Sequence, residues 1–353
     1  MKPNGKTDVA LKTKKNLTLS DLAKLAGVST STVSRALNEN PIIKKETRGK
    51  IQALAKEYNF SLNAAASRLR TQKTHVIAVI LNLIDHTDQS TNDPFLLKVV
   101  GDLNQALNHK GYELLLSNSF MATGDWANYF IASSRADGLI VIGQGISDEK
   151  VKAVAASGSP MVVWGDPKSN TCYPIVGSDN KLGGYIATKH LLKGGCKKIL
   201  YLGNTEHGEI SERHKGYCQA LVENGLQPNA KLTLSIDLTS TAAHQQITQA
   251  ILGQGLYFDG IVAASDMVAL GALKALKERY INVPNEVAIV GFDDISMAEL
   301  FHPSLTTIRQ NTKKAAEVMV EKLIAQLQGE TTQSSIIDIE LVPRHSTRQA
   351  KNH

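Results

Sequence analysis

The chain lacks the residue patterns that mark secreted, metal-bound or membrane-spanning proteins. Its three cysteines, Cys172, Cys196 and Cys218, are an odd number and lie too far apart for a disulfide framework or a zinc site. They are expected to pack as thiols in a reducing compartment. No run of 18 apolar residues occurs, so no segment is expected to span a membrane. The opening MKPNGKTDVALKTKKN is basic and polar, with no apolar core of a secretory signal, which points to the cytoplasm. Catalytic signatures are scarce too. There is no G-x-S-x-G, and Gly143 and Gly145 lack the third glycine of a dinucleotide fingerprint. His207 and His214 have no partner at metal-ligand spacing. Neither an enzyme nor a metal or other cofactor is expected.

Apolar residues make up 42% of 353, enough for more than one sizeable core. The net charge of +6 is unevenly spread. Residues 1–75 hold 15 Lys and Arg against 5 Asp and Glu, whereas the remainder holds 24 against 28. A basic head on a mildly acidic body is the electrostatic footprint of a nucleic-acid-binding module joined to a separate globular unit.

The head carries one informative stretch, TLSDLAKLAGVSTSTVSRALN, from Thr18 to Asn38. Helical spacing puts Leu19, Leu22, Leu25 and Ala26 on one side of a first helix and Ser20, Asp21 and Lys24 on the other. Thr18 and Asp21 stand in capping-box relation, Gly27 permits a tight turn, and Ser29 suits the N-cap of a second helix. In that helix Val33, Ala36 and Leu37 share one arc, while Thr30, Ser31, Ser34 and Arg35 share the opposite one. A helix that shows hydroxyls and one Arg suits a DNA major groove; an ordinary hairpin with a solvated face is the plainer reading. A third helix is expected from Lys45 to Tyr58, with Ile51, Leu54, Ala55 and Tyr58 on its apolar side.

Residues 1–16 read as a flexible basic arm. In residues 60–74, FSLNAAASRLRTQKT, Asn63 can cap a short Ala-rich segment ending at Arg70. So short a helix needs a docking partner, and the spacing alone does not separate it from a linker. From His75 onward, apolar runs at 76–83, 112–117, 137–143, 160–166, 197–203, 231–236, 259–265 and 287–294 read as buried parallel strands. Helical patterns alternate with them near 95–110, 125–135, 148–157, 180–193, 212–224, 240–254, 266–279 and 312–328. This alternation predicts a doubly wound α/β architecture, with too many strands for one lobe. Ligands bind outside the carboxyl ends of such strands, a rule that selects Asp166, Ser265, Asp266, Asp293 and Asp294. The adjacent Asp293 and Asp294 are expected to point apart.

Several motifs in this order resemble the lactose-repressor/galactose-repressor family of bacterial transcription regulators. They are the Thr18–Asn38 stretch, TRGKI (47–51), NAAASRLR (63–70), VGSDNKLGG (176–184), the R-x-x-G-Y of Arg213 to Tyr217, ASDMVALGALKAL (264–276), VAIVGFDDI (287–295), PSLTTIRQ (303–310) and PRHST (343–347). The resemblance implies a small all-α helix-turn-helix head and a periplasmic-binding-protein-like core of two doubly wound parallel-sheet lobes. It divides the chain into an arm at 1–16, a DNA-binding head at 17–61, a hinge and linker at 62–74, a core at 75–347 and a tail at 348–353. Lobe 1 is expected at 75–175 and 309–334, lobe 2 at 176–308 and 335–347.

The resemblance further implies that Thr18, Ser29, Thr30, Ser31, Thr32, Ser34, Arg35 and Asn38 meet DNA, with Thr30, Ser31 and Arg35 facing base edges. Asn63, Ala66 and Leu69 fall at the hinge, where paired Leu side chains from two subunits wedge into the minor groove. Phe95, Trp164, Asp166, Arg213, Ser265, Asp293 and Gln310 fall at the effector site, whose carboxylates, amides and single Arg suit a sugar or sugar phosphate. Trp164 is either a stacking face or a core residue, and Asp266 and Asp294 either brace the fold or touch ligand. The implied partners are double-stranded operator DNA, a small-molecule effector and a second copy of the chain. A dimer of dimers is the larger assembly, although no leucine-heptad tail follows residue 347.

Four departures stand out. Leu62 precedes Asn63 where the family often has Pro, and Lys44 stands near the N-cap of the third helix, where a cation opposes the helix dipole. Gly49 weakens that helix, and Leu238 replaces an aromatic that some members place over the ligand. The function these features imply is a sugar-released repressor of carbohydrate-utilisation genes. Alternatives are a corepressor-dependent repressor and a cytoplasmic sugar-binding protein without a DNA role.

Overall fold

Among the described residues three short helices form the head: α1 (Leu19–Ala26), α2 (Thr30–Leu37) and α3 (Lys45–Glu57). The computed structural model describes residues 17–60, 73–82, 92–120, 124–143, 149–206, 208–252 and 255–348. It divides into two units, residues 1–73 and 74–353, each taken by itself below. Leu22, Ala23, Val33, Ala36, Ile51 and Ala55 make a small head core. α1 is turned slightly from its expected orientation, so Ala23 is buried and Leu25 is 49% exposed. Tyr58 lies just past the end of α3 and is also exposed, not on the packed side. No side chain caps α3 at Lys44, as the sequence suggested. Asn63, Ala66 and Leu69 lie outside the described residues.

The larger unit holds two six-stranded sheets. The first runs in spatial order β11-β5-β4-β3-β1-β2. Its members are β1 (Val76–Leu81), β2 (Glu113–Asn118), β3 (Gly138–Ile142), β4 (Met161–Trp164), β5 (Ile175–Ser178) and β11 (Ser335–Ile337). The second runs β12-β10-β9-β8-β6-β7. It contains β6 (Ile199–Leu202), β7 (Thr233–Leu234), β8 (Gly260–Ala263), β9 (Ala288–Asp293), β10 (Thr306–Gln310) and β12 (Ile339–Val342). Helices α4 (Pro94–His109), α5 (Glu149–Ala156), α6 (Asn180–Lys193), α7 (Gly208–Glu223), α8 (Ser240–Leu252), α9 (Asp266–Glu278), α10 (Ser296–Leu300) and α11 (Thr312–Leu327) connect them. Each sheet is covered on both faces, which is why strands such as β1, β3, β4 and β9 are buried along their whole length.

The expected α/β alternation is present with local corrections. Residues 231–236 supply only a turn of 3-10 helix and the two-residue β7. The helix expected at 125–135 is a single wide turn, Ala127–Ala132, in which Ser133 N–H reaches back five residues to the Asn128 carbonyl. β12 runs antiparallel to β10, so the second sheet is mixed. Cys172 is exposed rather than packed; Cys196 is buried and Cys218 half-buried. The chain passes between sheets after β5, after β10 and between β11 and β12. Among the described residues no helix is long and apolar enough to cross a membrane.

Candidate functional site

Two surfaces collect the polar residues singled out from the sequence. In the head, Thr18 N–H donates to Asp21 Oδ2 at 3.1 Å and Asp21 N–H donates to Thr18 Oγ1 at 3.3 Å, closing the capping box. Gly27 takes φ +67°, a left-handed turn that turns the chain from α1 into α2. Ser29 caps α2, accepting from Thr32 N–H at 3.2 Å, and its hydroxyl lies 2.8 Å from those of Ser31 and Thr32. Asn38 closes the other end, its amide donating to the Ser34 carbonyl at 2.9 Å. Ser29, Thr32 and Asn38 thus secure the two ends of α2. Thr30, Ser31 and Arg35 are exposed and Ser34 partly so. Among the described residues the Arg35 guanidinium bonds to no other group, and α2 presents it on the face opposite Val33 and Ala36.

The second surface lies where the strands of the larger unit end. Arg213 on α7 is its fixed point. Its Nε donates to Asn180 Oδ1 at 2.8 Å, Nη1 donates to the Ala264 carbonyl, and the guanidinium lies 3.7 Å from the centre of the Phe292 ring. α6 and α7 pack through Gly184 and Gly216. A Cβ at Gly184 would stand 1.9 Å from the Arg213 carbonyl oxygen, and one at Gly216 equally close to that of Lys181. This contact explains Gly184 of VGSDNKLGG and Gly216 of R-x-x-G-Y.

Around Arg213 the site is dominated by carboxylates. Gln310, 1% exposed at the end of β10, donates through Nε2 to Asp293 Oδ1 at 2.7 Å, and its own Oε1 has no partner. Burial pushes the Asp293 carboxyl well above the ordinary range, with Arg213 opposing and Asp266 and Asp93 reinforcing the rise. Burial likewise raises Asp166, just past β4, which Glu212 on α7 raises further. It raises Glu209 on α7, where Arg213 opposes and Asp166 adds. It also raises Asp93, which caps α4 through the N–H groups of Phe95 and Leu96. Asp93 and Asp166 of the first lobe thus act across the cleft on Asp293 and Glu209 of the second, and Glu212 acts on Asp166. Phe95 packs against the apolar cores of both lobes. Lys98 of α4 also crosses between them, donating to the Asp294 carbonyl at 3.3 Å.

The remaining expected residues sort themselves by partner. Trp164 is 2% exposed within the first-lobe core, its ring tilted against Phe95 at 6.0 Å, so it is a core residue and offers no open face. Ser265 accepts from Val268 N–H at 3.3 Å as the N-cap of α9. Asp266 is fully buried, taking the Thr307 hydroxyl and, at 2.9 Å, the Ile295 N–H. Asp294 pairs with Arg309 and Arg344, each at 2.7 Å. Both brace the fold, and Asp293 and Asp294 point apart as expected. Asp93, Glu209 and Glu212 were not anticipated. The Asp-Pro pair at 93–94 is a helix-start signal that marks Asp93. The two glutamates emerge only once α7 is known to begin at Gly208. Among the described residues no group of three or more His, Cys, Asp or Glu side chains could hold a metal ion.

Comparison with known proteins matches both units. Residues 18–63 match the family described as bacterial regulatory proteins, lacI family, and residues 188–347 match a periplasmic binding protein-like domain. The HTH-type transcriptional regulator MalR of Clostridium butyricum is 30% identical over 339 residues, covering 94% of this chain and 99% of that protein. The lac repressor dimer bound to operator and the anti-inducer ONPF superimposes with a TM-score of 0.81 at 25% identity, covering 95% of this chain and 100% of that one. The transcriptional regulator CelR in complex with cellobiose gives 0.70 at 26% identity, covering 94% and 99%.

Proposed function

The chain belongs to the LacI family of bacterial regulatory proteins, and on that premise we propose that it is a cytoplasmic, homodimeric repressor of carbohydrate-utilisation genes, released from its operator by an uncharged sugar. As a member of that family it is a DNA-binding transcriptional regulator. The sugar reading draws support from the relative solved with cellobiose. The observation that carries it here is the make-up of the cleft. Glu209 and Asp293 lie near enough to a single Arg213 to feel its charge, Asp166 and Asp93 act on those two carboxyls in turn, and Gln310 Oε1 is left without a partner among the described residues. Sugar hydroxyls can donate to carboxylates and to Gln310 while accepting from Arg213. Arg213, the cation of this set, is already held by Asn180 and the Ala264 carbonyl and leaves little charge for a phosphate, so of the two ligand classes the unphosphorylated sugar is favoured.

In this reading Thr30, Ser31 and Arg35 face base edges in the major groove, with Arg35 best suited to a G·C pair. Two copies place two α2 helices on the half-sites of a near-palindromic operator, and paired Leu69 side chains enter its central step. Sugar in the cleft favours a relation of the lobes that no longer supports the hinge, and DNA affinity falls. The effect is a shift of populations, so its size equals the sugar's preference for one state over the other.

A thermal-shift screen of the full chain tests the ligand class, because a ligand stabilises the state that it binds. Glucose, galactose, maltose, cellobiose and sucrose are compared with glucose 6-phosphate and with hypoxanthine. A rise in Tm with an uncharged sugar supports the reading. A rise with only the phosphate or the purine overturns it.

A further inference from the structure

The two lobes touch at more than the chain that passes between them. Helix α4 of the first lobe starts at Asp93, and its first two turns lean on the second lobe. Phe95 packs against the apolar cores of both. One turn on, the half-buried Lys98 donates through Nζ to the Asp294 carbonyl at 3.3 Å, just past the end of β9.

That carbonyl has its direction fixed by the second lobe. Asp293 and Asp294 both take left-handed backbone, at φ 118° and 54°. Few residues other than glycine do so, and such conformations persist where their surroundings over-determine them. Here the Asp294 carboxylate is gripped by Arg309 and Arg344, each at 2.7 Å. The next N–H, that of Ile295, donates to the buried Asp266 at 2.9 Å. The carbonyl and N–H of one trans peptide point opposite ways. With the Ile295 N–H turned inward to Asp266, the Asp294 carbonyl is turned outward, where Lys98 of the first lobe meets it.

The same corner adjoins the sugar site. Asp293, the residue before, takes the Gln310 amide at 2.7 Å, and Ala264, two residues before Asp266, takes Arg213. A sugar bonded to Asp293, Gln310 or Arg213 therefore bears on the residues that orient this peptide.

We propose that Lys98 is a latch between the lobes: its bond to the Asp294 carbonyl favours one relation of the lobes over the other, and so sets how much sugar is needed to release DNA. This rests on the sugar-effector reading above and deepens it. A contact made in one relation and lost in the other shifts the balance between them by its full worth. Lys98 acts on that balance and does not hold the sugar itself.

Operator and saccharide affinities of the full chain test this in wild type, Lys98→Met and Lys98→Arg, with Tm as the check on folding. The duplex is one enriched from random DNA by the wild type. The saccharides are glucose, galactose, maltose, cellobiose and sucrose. Met keeps the length and apolar stem of Lys but cannot donate. Removing a contact that merely holds sugar, DNA or the fold weakens binding. Removing a latch frees the other relation, so Lys98→Met should raise one of the two affinities while the other falls or holds. The gain should be about 3- to 10-fold, the worth of one hydrogen bond. Lys98→Arg keeps a charged donor and should stay within about twofold of wild type. If sugars bind but Lys98→Met raises neither affinity, or if Lys98→Arg behaves as Lys98→Met does, the latch is wrong and the sugar reading stands. If no saccharide binds the wild type, the sugar reading fails and takes this inference with it.

Discussion

Gly184 on α6 faces the backbone carbonyl of Arg213 on α7, and a methyl group there would stand 1.9 Å from the oxygen. The contact is backbone against backbone, so nothing flexible can yield. Gly184→Ala should force the two helices apart, at a cost of about 1–3 kcal/mol in core stability. It should also displace the Arg213 guanidinium from Asn180 and weaken binding of any sugar found for the wild type. Denaturant unfolding and calorimetry on the same variant check both effects.

Gly49 is the opposite case. It sits inside α3 with nothing within 4 Å of where its Cβ would be, and its residue is exposed. Gly49→Ala should stabilise the head by about 0.5–1 kcal/mol. Hydrogen exchange of the α3 amides in the full chain measures this, as slower exchange.

Arg35 is exposed and bonded to nothing among the described residues, so removing it should leave the head folded. Arg35→Ala should abolish enrichment of a two-fold symmetric sequence when the protein selects from random duplex DNA. Non-specific affinity at low salt should fall only slightly. Leu69→Ala should also cost specific binding far more than non-specific binding; equal losses would reduce residues 63–70 to a plain linker. Gel-shift titrations on selected and scrambled duplexes separate the two kinds of binding.

Asp266 gives a pH prediction. Burial is the largest influence on it and pushes its carboxyl up to about 7, with the Thr307 and Ile295 hydrogen bonds opposing. The folded state therefore holds a proton that the unfolded chain has already released. Its contribution is fully present below the ordinary value of 3.8 and is lost as pH rises toward about 7. Asp266→Asn cannot ionise, so the difference in unfolding free energy between wild type and variant should move in the variant's favour across that window and be level above it. Urea titrations from pH 4 to pH 8 check the slope.

Much of the molecule is legible in the chain itself, and the reasons differ from place to place. The capping box at Thr18, the turn at Gly27 and the cap at Ser29 are local, so spacing alone locates them. Buried strands such as β1 and β9 are legible because both faces are covered and the apolar run is unbroken. β5, β10, β11 and β12 escape the same test. β5 is short and carries Gly and Ser, β10 carries Thr, Arg and Gln, and β11 and β12 are partly exposed. Strand ends point to Asp166 and Asp293, and the family resemblance to Gln310, but neither tells which carboxylates brace the fold. Asp266 and Asp294 find their role only against Thr307, Arg309 and Arg344, distant in sequence and adjacent in space. Trp164 reads as a candidate stacking face until its own sheet and α11 close over it.

The central claim is that sugar in the core governs DNA affinity in the head. Fluorescence anisotropy tests it most directly, with the full chain, a labelled duplex enriched from the random library, and increasing concentrations of the saccharide that stabilises the protein. The account predicts that the saccharide weakens binding to this duplex by about 5- to 150-fold, the range of a coupling of 1–3 kcal/mol, and leaves binding to a scrambled duplex unchanged. Unchanged or tighter binding to the enriched duplex at saturating saccharide would contradict it.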